Sequence, residues 1–182
     1  MGIPSSTLQD ITKKRIVAYH EVGHALVAAF TPHTDKIDKI TILPQSGGVG
    51  GYTRFTPNEE VLDEGLATKK YLFAKIIVAL GGRAAETIVF GKNEVTQGAS
   101  SDLLLVTDIA RKMVTQFGFS ELGPMALENS NSEVFLTRDF IYNKPSYAEK
   151  TNKEVDIQIR TLARKAMSKA IFILSSRRVL MD

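Results

Sequence analysis

Two histidines with a glutamate between them are the residues of this chain whose spacing points most directly to chemistry. They lie in the segment His20-Glu21-Val22-Gly23-His24, which matches the H-E-x-x-H zinc motif. Since a spacing of four residues returns a side chain to nearly the same face of an α-helix, both imidazoles can bind one metal ion. Glu21 lies about 100° away around the helix axis, so we expect it to act as a general base toward water and not as a ligand.

The motif requires a helix, and the surrounding residues allow one. Apolar residues precede and follow it, and no proline interrupts the segment before Pro32. We therefore expect a helix from Leu8 to about Phe30, with its N-terminal cap near Ser6 or Thr7. The alternative interpretation is an amphipathic core helix that carries two histidines by chance.

Composition limits the class of protein. The 182 residues are 43% hydrophobic and 24% charged, which is typical of one soluble globular domain. The net charge of +3, without a block of five like charges, gives no electrostatic basis for nucleic-acid binding. The absence of cysteine excludes disulfides and thiolate metal sites, so His, Asp and Glu are the available strong ligands. No apolar stretch approaches the roughly 20 residues of a membrane helix, and no signal peptide opens the chain.

The remaining hydrophobic pattern predicts a mainly α fold with a small antiparallel β-sheet. The two strands are expected in segments 37–43 and 52–55, on either side of the glycine-rich segment 46–51. Later helices are predicted over 59–90, from about 100 to 114, and over 147–175, with a flexible loop at 128–145.

Gly81 and Gly82 lie inside the predicted helix 59–90. Each glycine costs a helix about 1 kcal/mol relative to alanine. We therefore expect another element, most simply the histidine helix, to approach the backbone closely at this point.

A catalytic zinc generally has three protein ligands and a water, so one ligand must come from elsewhere in the chain. His33 does not fit the spacing of a third histidine and is expected in an exposed loop. Four acidic residues downstream are candidates: Glu86, Glu94, Asp102 and Asp108. Asp102 can also be explained as a first-turn helix carboxylate, and Glu86 as a carboxylate that orients a zinc-binding imidazole. Spacing alone does not decide whether Asp102 or Glu86 is the third ligand.

Four ordered segments carry a family resemblance: His20-Glu21-Val22-Gly23-His24-Ala25, Gly81-Gly82-Arg83-Ala84-Ala85-Glu86, Gly98-Ala99-Ser100-Ser101-Asp102-Leu103 and Leu122-Gly123-Pro124. Over essentially its whole length, 1–182, the chain resembles the peptidase domain of FtsH-type AAA proteases. The family usually has other residues at Ser101, Gln97 and Thr87, but the motif histidines, glutamate and aspartate are intact. Val22 and the general character of the sequence resemble cyanobacterial or plastid members.

The resemblance implies a helical zinc metalloprotease domain, with Asp102 as the third zinc ligand and Glu86 as a carboxylate supporting a histidine. In complete family members this domain follows an ATPase domain and an N-terminal membrane anchor, and it assembles into homo- or hetero-hexamers. We expect those upstream parts to be absent here and the C-terminus to be truncated. The resemblance implies that ATP binding and membrane contact belong to the missing segments. The chain itself has no phosphate-binding loop, since its glycine-rich segment 46–51 lacks the Lys and Ser/Thr that such a loop requires. The fragment itself is expected to be soluble.

The activity that follows is zinc-dependent endoproteolysis of unfolded or damaged membrane and soluble proteins. Gly50, Gly51, Tyr52 and Thr53 are the candidate edge strand for binding substrate through its backbone, and the alternative is a glycine-rich hairpin turn. Two further alternatives are a non-catalytic structural subunit of a hetero-oligomeric AAA protease and a zinc-stabilised interaction module. The intact ligands and base, together with the lack of cysteine, favour the enzyme.

Overall fold

A computed structural model describes residues 5–43, 51–57, 66–127 and 146–182. Its elements confirm a mainly α fold with a two-stranded antiparallel sheet. Their bounds are α1 Ser5–Ala29, β1 Lys36–Thr41, β2 Tyr52–Thr56, α2 Lys69–Ala79, α3 Gly81–Phe90, α4 Ser100–Thr115 and α5 Ser146–Ser175. The predicted loop 128–145 lies entirely outside the described residues. In the described parts, no helix is both long and apolar enough to span a membrane.

Helix α1 contains the histidine motif, as predicted. It begins at Ser5, so Ser6 and Thr7, which were predicted near the cap, lie within the helix. It ends at Ala29, one residue before the predicted end, and the hydroxyl of Thr31 donates to the Val27 carbonyl at 2.6 Å. Pro32 follows directly and prevents the helix from continuing.

The small sheet consists of β1 and β2, with Ile40 opposite Thr53. A bulge between Ile37 and Lys39 interrupts the register. Gly51, just before β2, lies so close to the Thr41 carbonyl that a side chain at position 51 has no room. The need for glycine at this position is therefore explained by the packing of the chain on itself.

The helix predicted over 59–90 is divided in the structure. Helix α2 begins only at Lys69, after the hydroxyl of Thr68 accepts a hydrogen bond from the Tyr71 amide at 3.2 Å. The helix is interrupted at Leu80, whose backbone angles are φ −84° and ψ −4°, and α3 starts at the next residue. The hydrophobic periodicity of the sequence continues across Leu80, so it did not predict the break. Residues 58–65, which include the start of the predicted helix, lie outside the described ranges.

The glycine pair is where α3 meets α1, as predicted. A β-carbon on Gly81 would lie 2.7 Å from the Gly23 carbonyl oxygen, and one on Gly82 would lie 2.5 Å from Nε2 of His20. Both distances are far below the usual contact distance of about 3.5–4.0 Å. Glycine at these positions therefore permits the approach that brings α3 beside the histidines.

One hydrophobic core joins the helices behind the site. Its most buried side chains come from α1, α2, α4 and α5 and include Val27, Ile76, Met113 and Leu174. Ala166 and Ala170 of α5 are fully buried, in agreement with the predicted apolar stripe of that helix. This packing fixes α1, α3 and α4 relative to one another, which is what a site built from three helices requires.

Candidate metal centre

Three potential ligand atoms converge where α1 meets the start of α4. The Nε2 atoms of His20 and His24 are 3.0 Å apart, and Oδ2 of Asp102 lies 3.3 Å from the first and 3.5 Å from the second. In a tetrahedral site with metal–ligand distances of about 2.0–2.1 Å, ligand atoms are separated by about 3.3–3.4 Å. The triangle therefore has the size of one face of such a site, and these residues can hold a metal ion.

Hydrogen bonds on the far side of each imidazole determine which nitrogen faces the centre. Nδ1 of His20 donates to Oε1 of Glu86 at 2.7 Å, and Nδ1 of His24 donates to the Val78 carbonyl at 2.8 Å. In each neutral imidazole the proton then lies on Nδ1 and the Nε2 lone pair faces Asp102, whereas a second proton on Nε2, in the imidazolium form, would donate to Asp102. Three electron-rich atoms this close repel one another unless a cation or a proton lies between them, so the donor set fits a metal ion.

The break at Leu80 contributes to this arrangement. Because α2 ends at Ala79, the Val78 carbonyl lies in the last helical turn, where carbonyls lack their usual intrahelical partner. That carbonyl accepts the hydrogen bond from His24. The interruption that the sequence did not predict thus supplies the acceptor that orients one histidine.

Glu86 lies behind His20 and does not face the centre. It is 1% exposed, and its second oxygen, Oε2, accepts a hydrogen bond from the Thr96 amide at 2.6 Å. Both carboxylate oxygens therefore have partners, one on α1 and one in the segment that leads into α4. This carboxylate joins the two elements that carry the potential ligands.

Asp102 and His20 shift each other's pKa. Burial raises the pKa of Asp102, but hydrogen bonds from His20 and His24 outweigh burial and lower this pKa to about 2. Burial likewise lowers the pKa of His20, yet Asp102 and Glu86 outweigh it and raise the pKa above 6.5. Asp102 is therefore ionised at neutral pH, which is the form that binds a cation.

Glu21 lies outside the ligand triangle. Its side chain is almost fully buried, and its Oε2 accepts a hydrogen bond from the Thr53 hydroxyl at 2.7 Å. Glu21 and the three potential ligands line one cavity of about 430 Å³. The contact with Thr53 was missed by sequence reasoning, because no local pattern relates residues 32 positions apart.

The candidate substrate strand lies at the cavity, whereas the other candidate ligands predicted from the sequence lie away from the ligand triangle. Gly51, Tyr52 and Thr53 line the cavity, whereas Gly50 lies outside the described residues. His33 lies in a loop with φ 62°, and exposed Asp108 pairs with Lys112 on α4. In the described ranges, neither of them nor Glu94 belongs to the group of potential ligands.

The cavity also contains an ion pair that the sequence did not indicate. Nζ of Lys75 lies 3.4 Å from Oδ2 of Asp35, and the hydroxyl of Tyr71 donates to Oδ1 of Asp35 at 2.8 Å. Burial and the hydrogen bond to Asp35 raise the pKa of Tyr71. Asp35 and Lys75 line the cavity together with Val78, so the cavity wall contains both this ion pair and an apolar side chain.

A helix with two histidines whose Nε2 atoms converge, a neighbouring glutamate and a potential third ligand on a later helix together form the pattern of an H-E-x-x-H metallopeptidase. Residues 7–182 match the model of Peptidase family M41. The chain belongs to this family of peptidases.

Three similar proteins illustrate the relationship. The chain is 45% identical over 181 residues to an ATP-dependent zinc metalloprotease FtsH of Cyanidium caldarium, covering all of this chain and 29% of that protein. It is 44% identical over 171 residues to FtsH 3 of a Synechocystis species, covering 93% of this chain and 27% of the relative. The chloroplastic FTSH 1 of rice is 44% identical over 165 residues, covering 90% of this chain and 24% of the relative. The chain thus spans less than a third of the length of these proteins.

Proposed function

We propose that this chain is the proteolytic domain of an ATP-dependent zinc protease and hydrolyses internal peptide bonds of unfolded or damaged proteins. One observation carries the proposal: the Nε2 atoms of His20 and His24 converge with Oδ2 of Asp102 beside the buried carboxylate of Glu21. The relatives' names, which specify a zinc metalloprotease, support the choice of metal.

His20, His24 and Asp102 would hold the zinc ion, and Glu86 would keep the imidazole of His20 in its binding tautomer through the 2.7 Å hydrogen bond to Nδ1. A bound zinc ion supplies a Lewis acid that polarises the scissile carbonyl and makes water more acidic. The hydrogen bonds behind both histidines orient the rings before the ion binds, so little reorganisation is needed.

Glu21 would move the proton. It lines the cavity beside the ligands without belonging to their triangle, which is the position expected of a base that contacts the attacking water. Glu21 takes a proton from that water and delivers it to the leaving amine as the peptide bond breaks. Its burial favours this role, because fixed groups in a cavity replace mobile solvent around the reacting atoms.

The substrate backbone would lie along segment 50–53. In the described ranges the sheet has only β1 and β2, so one edge of β2 has no partner strand. Gly51, Tyr52 and Thr53 line the same cavity as the metal ligands. Addition of an extended peptide to this edge would present successive peptide bonds to the centre in one orientation.

The wider setting is inferred from the relatives. Since the chain spans less than a third of their length, we propose that residues 1–182 form a peptidase domain within a longer protein. That protein would contain an ATPase domain and a membrane anchor and would form a homo- or hetero-hexamer. A non-catalytic structural subunit is the alternative, and the presence of all three ligands and of Glu21 argues against it.

Glu21→Gln tests the function directly. The substitution keeps the size of the side chain and a hydrogen-bond acceptor for Thr53 but removes the basic carboxylate. We expect zinc content and the unfolding temperature to match wild type while cleavage of an unfolded polypeptide falls about 10²- to 10⁴-fold. Undiminished cleavage with full zinc content would refute the proposed mechanism, and loss of zinc would make Glu21 a ligand.

A further inference from the structure

The strand beside the centre contributes a hydroxyl to the catalytic carboxylate. We propose that Thr53 is a positioning residue for Glu21: it holds one carboxylate oxygen so that the other faces the attacking water. This inference rests on the proposed function, because it assigns the group that orients the base of that reaction.

The contact itself is short and involves a charged acceptor. The hydroxyl of Thr53 lies 2.7 Å from Oε2 of Glu21 and 3.3 Å from the backbone carbonyl of the same residue. A hydroxyl has one proton to donate, and the shorter contact to a carboxylate receives it. Hydrogen bonds to ionised acceptors are roughly twice as strong as those between neutral groups.

The two oxygens of Glu21 have different surroundings. Oε2 accepts from Thr53, whereas Oε1 has no hydrogen-bond partner in the described part of the chain. Glu21 is 7% exposed and lines the cavity with the metal ligands. Fixing Oε2 stops the carboxylate from rotating and reserves Oε1 as the proton acceptor.

The position of Thr53 in the fold gives this contact a second consequence. Thr53 belongs to β2, while the potential ligands come from α1 and α4, so the base is held by an element separate from the metal centre. The same strand has the free edge that we propose for substrate binding. A single strand therefore aligns both the scissile peptide and the carboxylate that must reach its attacking water.

Two substitutions separate positioning from packing. Thr53→Val keeps the shape and the β-branched side chain but removes the hydroxyl, and Thr53→Ser keeps the hydroxyl. Thr161→Val is the matched control, because its exposed hydroxyl makes a hydrogen bond of the same 2.7 Å length, to the Ile157 carbonyl, on α5. The measurements are kcat and KM with an unfolded polypeptide, and zinc content per chain.

For Thr53→Val we expect kcat to fall about 10- to 100-fold, with KM and zinc content close to wild type. Thr53→Ser should recover most of the rate, and Thr161→Val should match wild type. A Thr53→Val protein as active as the Thr161→Val control would overturn the proposal. So would equal losses of rate in the serine and valine variants, because packing would then be responsible.

A second readout needs neither zinc nor turnover. In metal-free protein, Thr53→Val should lower the unfolding midpoint more in the wild-type background than in a Glu21→Ala background, since the hydrogen bond to the carboxylate exists only in the former. Equal shifts would show that the contact is not formed and would overturn the inference. A wild-type protein that binds zinc but cleaves nothing would overturn the proposed function and this role together, whereas an active Thr53→Val protein would overturn this role alone.

Discussion

The close approach of α3 to α1 predicts that one added methyl group at Gly82 will disrupt the metal centre. A β-carbon at this position would lie 2.5 Å from Nε2 and 2.6 Å from Nδ1 of His20. Because atoms in contact normally stay about 3.5–4.0 Å apart, the imidazole must move by about 1 Å. Metal–ligand distances tolerate only about 0.2 Å, so His20 would no longer bind together with His24 and Asp102.

In Gly82→Ala, the gain in helix propensity partly offsets the cost of overpacking in the free energy of unfolding. No such gain offsets the loss of zinc affinity. Alanine improves helix propensity by about 1 kcal/mol, whereas overpacking costs about 1–3 kcal/mol. The metal-free variant should therefore be destabilised by about 0–2 kcal/mol, which lowers Tm by at most about 8 °C in a domain of this size. Zinc affinity should fall by more than about 100-fold, since displacing a ligand costs at least as much as losing a group that supports one.

The assay is zinc titration with a competing chelator, together with thermal unfolding of the metal-free protein. Gly98→Ala is the matched control, because it adds the same methyl to the wall of the cavity but, among the described residues, meets only Oγ1 of Thr96, at 3.1 Å. If Gly82→Ala bound zinc as tightly as this control, the inferred contact between α3 and the His20 ring would be wrong.

Three further predictions follow from the centre. Asp102→Ala should abolish stoichiometric zinc binding, measured by metal analysis of the dialysed protein, while Asp108→Ala, which removes an exposed carboxylate on the same helix, should leave it intact. Glu86→Ala should weaken zinc binding about 10- to 100-fold and lower Tm, because Nδ1 of His20 and the amide of Thr96 both lose their acceptor; unchanged affinity in a chelator titration would contradict its supporting role. The pKa of Asp102 is lowered from 3.8 to about 2, so its contribution to the stability of the metal-free protein should be present above about pH 4, as long as His20 is protonated, and lost as the pH falls toward 2. Chemical unfolding at several pH values should show this loss in wild type and not in Asp102→Asn.

The parts of the site that depend on local helix geometry could be predicted from the order of the residues alone. Helical periodicity places His20 and His24 on one face and Glu21 off it, and the structure has all three on α1 as expected. The cost of two adjacent glycines predicted a close helix–helix contact, which the structure has between Gly23 and Gly81. These inferences succeed because a helix fixes the relative direction of side chains only a few residues apart.

The distant groups that meet the histidine helix could not be predicted in this way, because long-range packing brings them there. From the residues alone, Asp102 and Glu86 were equivalent candidates, and the family resemblance was needed to favour one. The fold separates them by direction: Asp102 lies on the Nε2 side of both histidines and Glu86 on the Nδ1 side of His20. Sequence separation cannot encode that difference, because it depends on how α3 and α4 pack around α1.

The break at Leu80 and the contact between Thr53 and Glu21 were equally inaccessible to the sequence. The apolar period runs through Leu80 without interruption, since residues on both sides of the break are buried in the same core. Thr53 reaches Glu21 only because the small sheet lies against α1. Local chemistry thus specified the histidine helix, whereas long-range packing supplied the third potential ligand, the carbonyl that accepts from His24 and the hydroxyl that donates to Glu21.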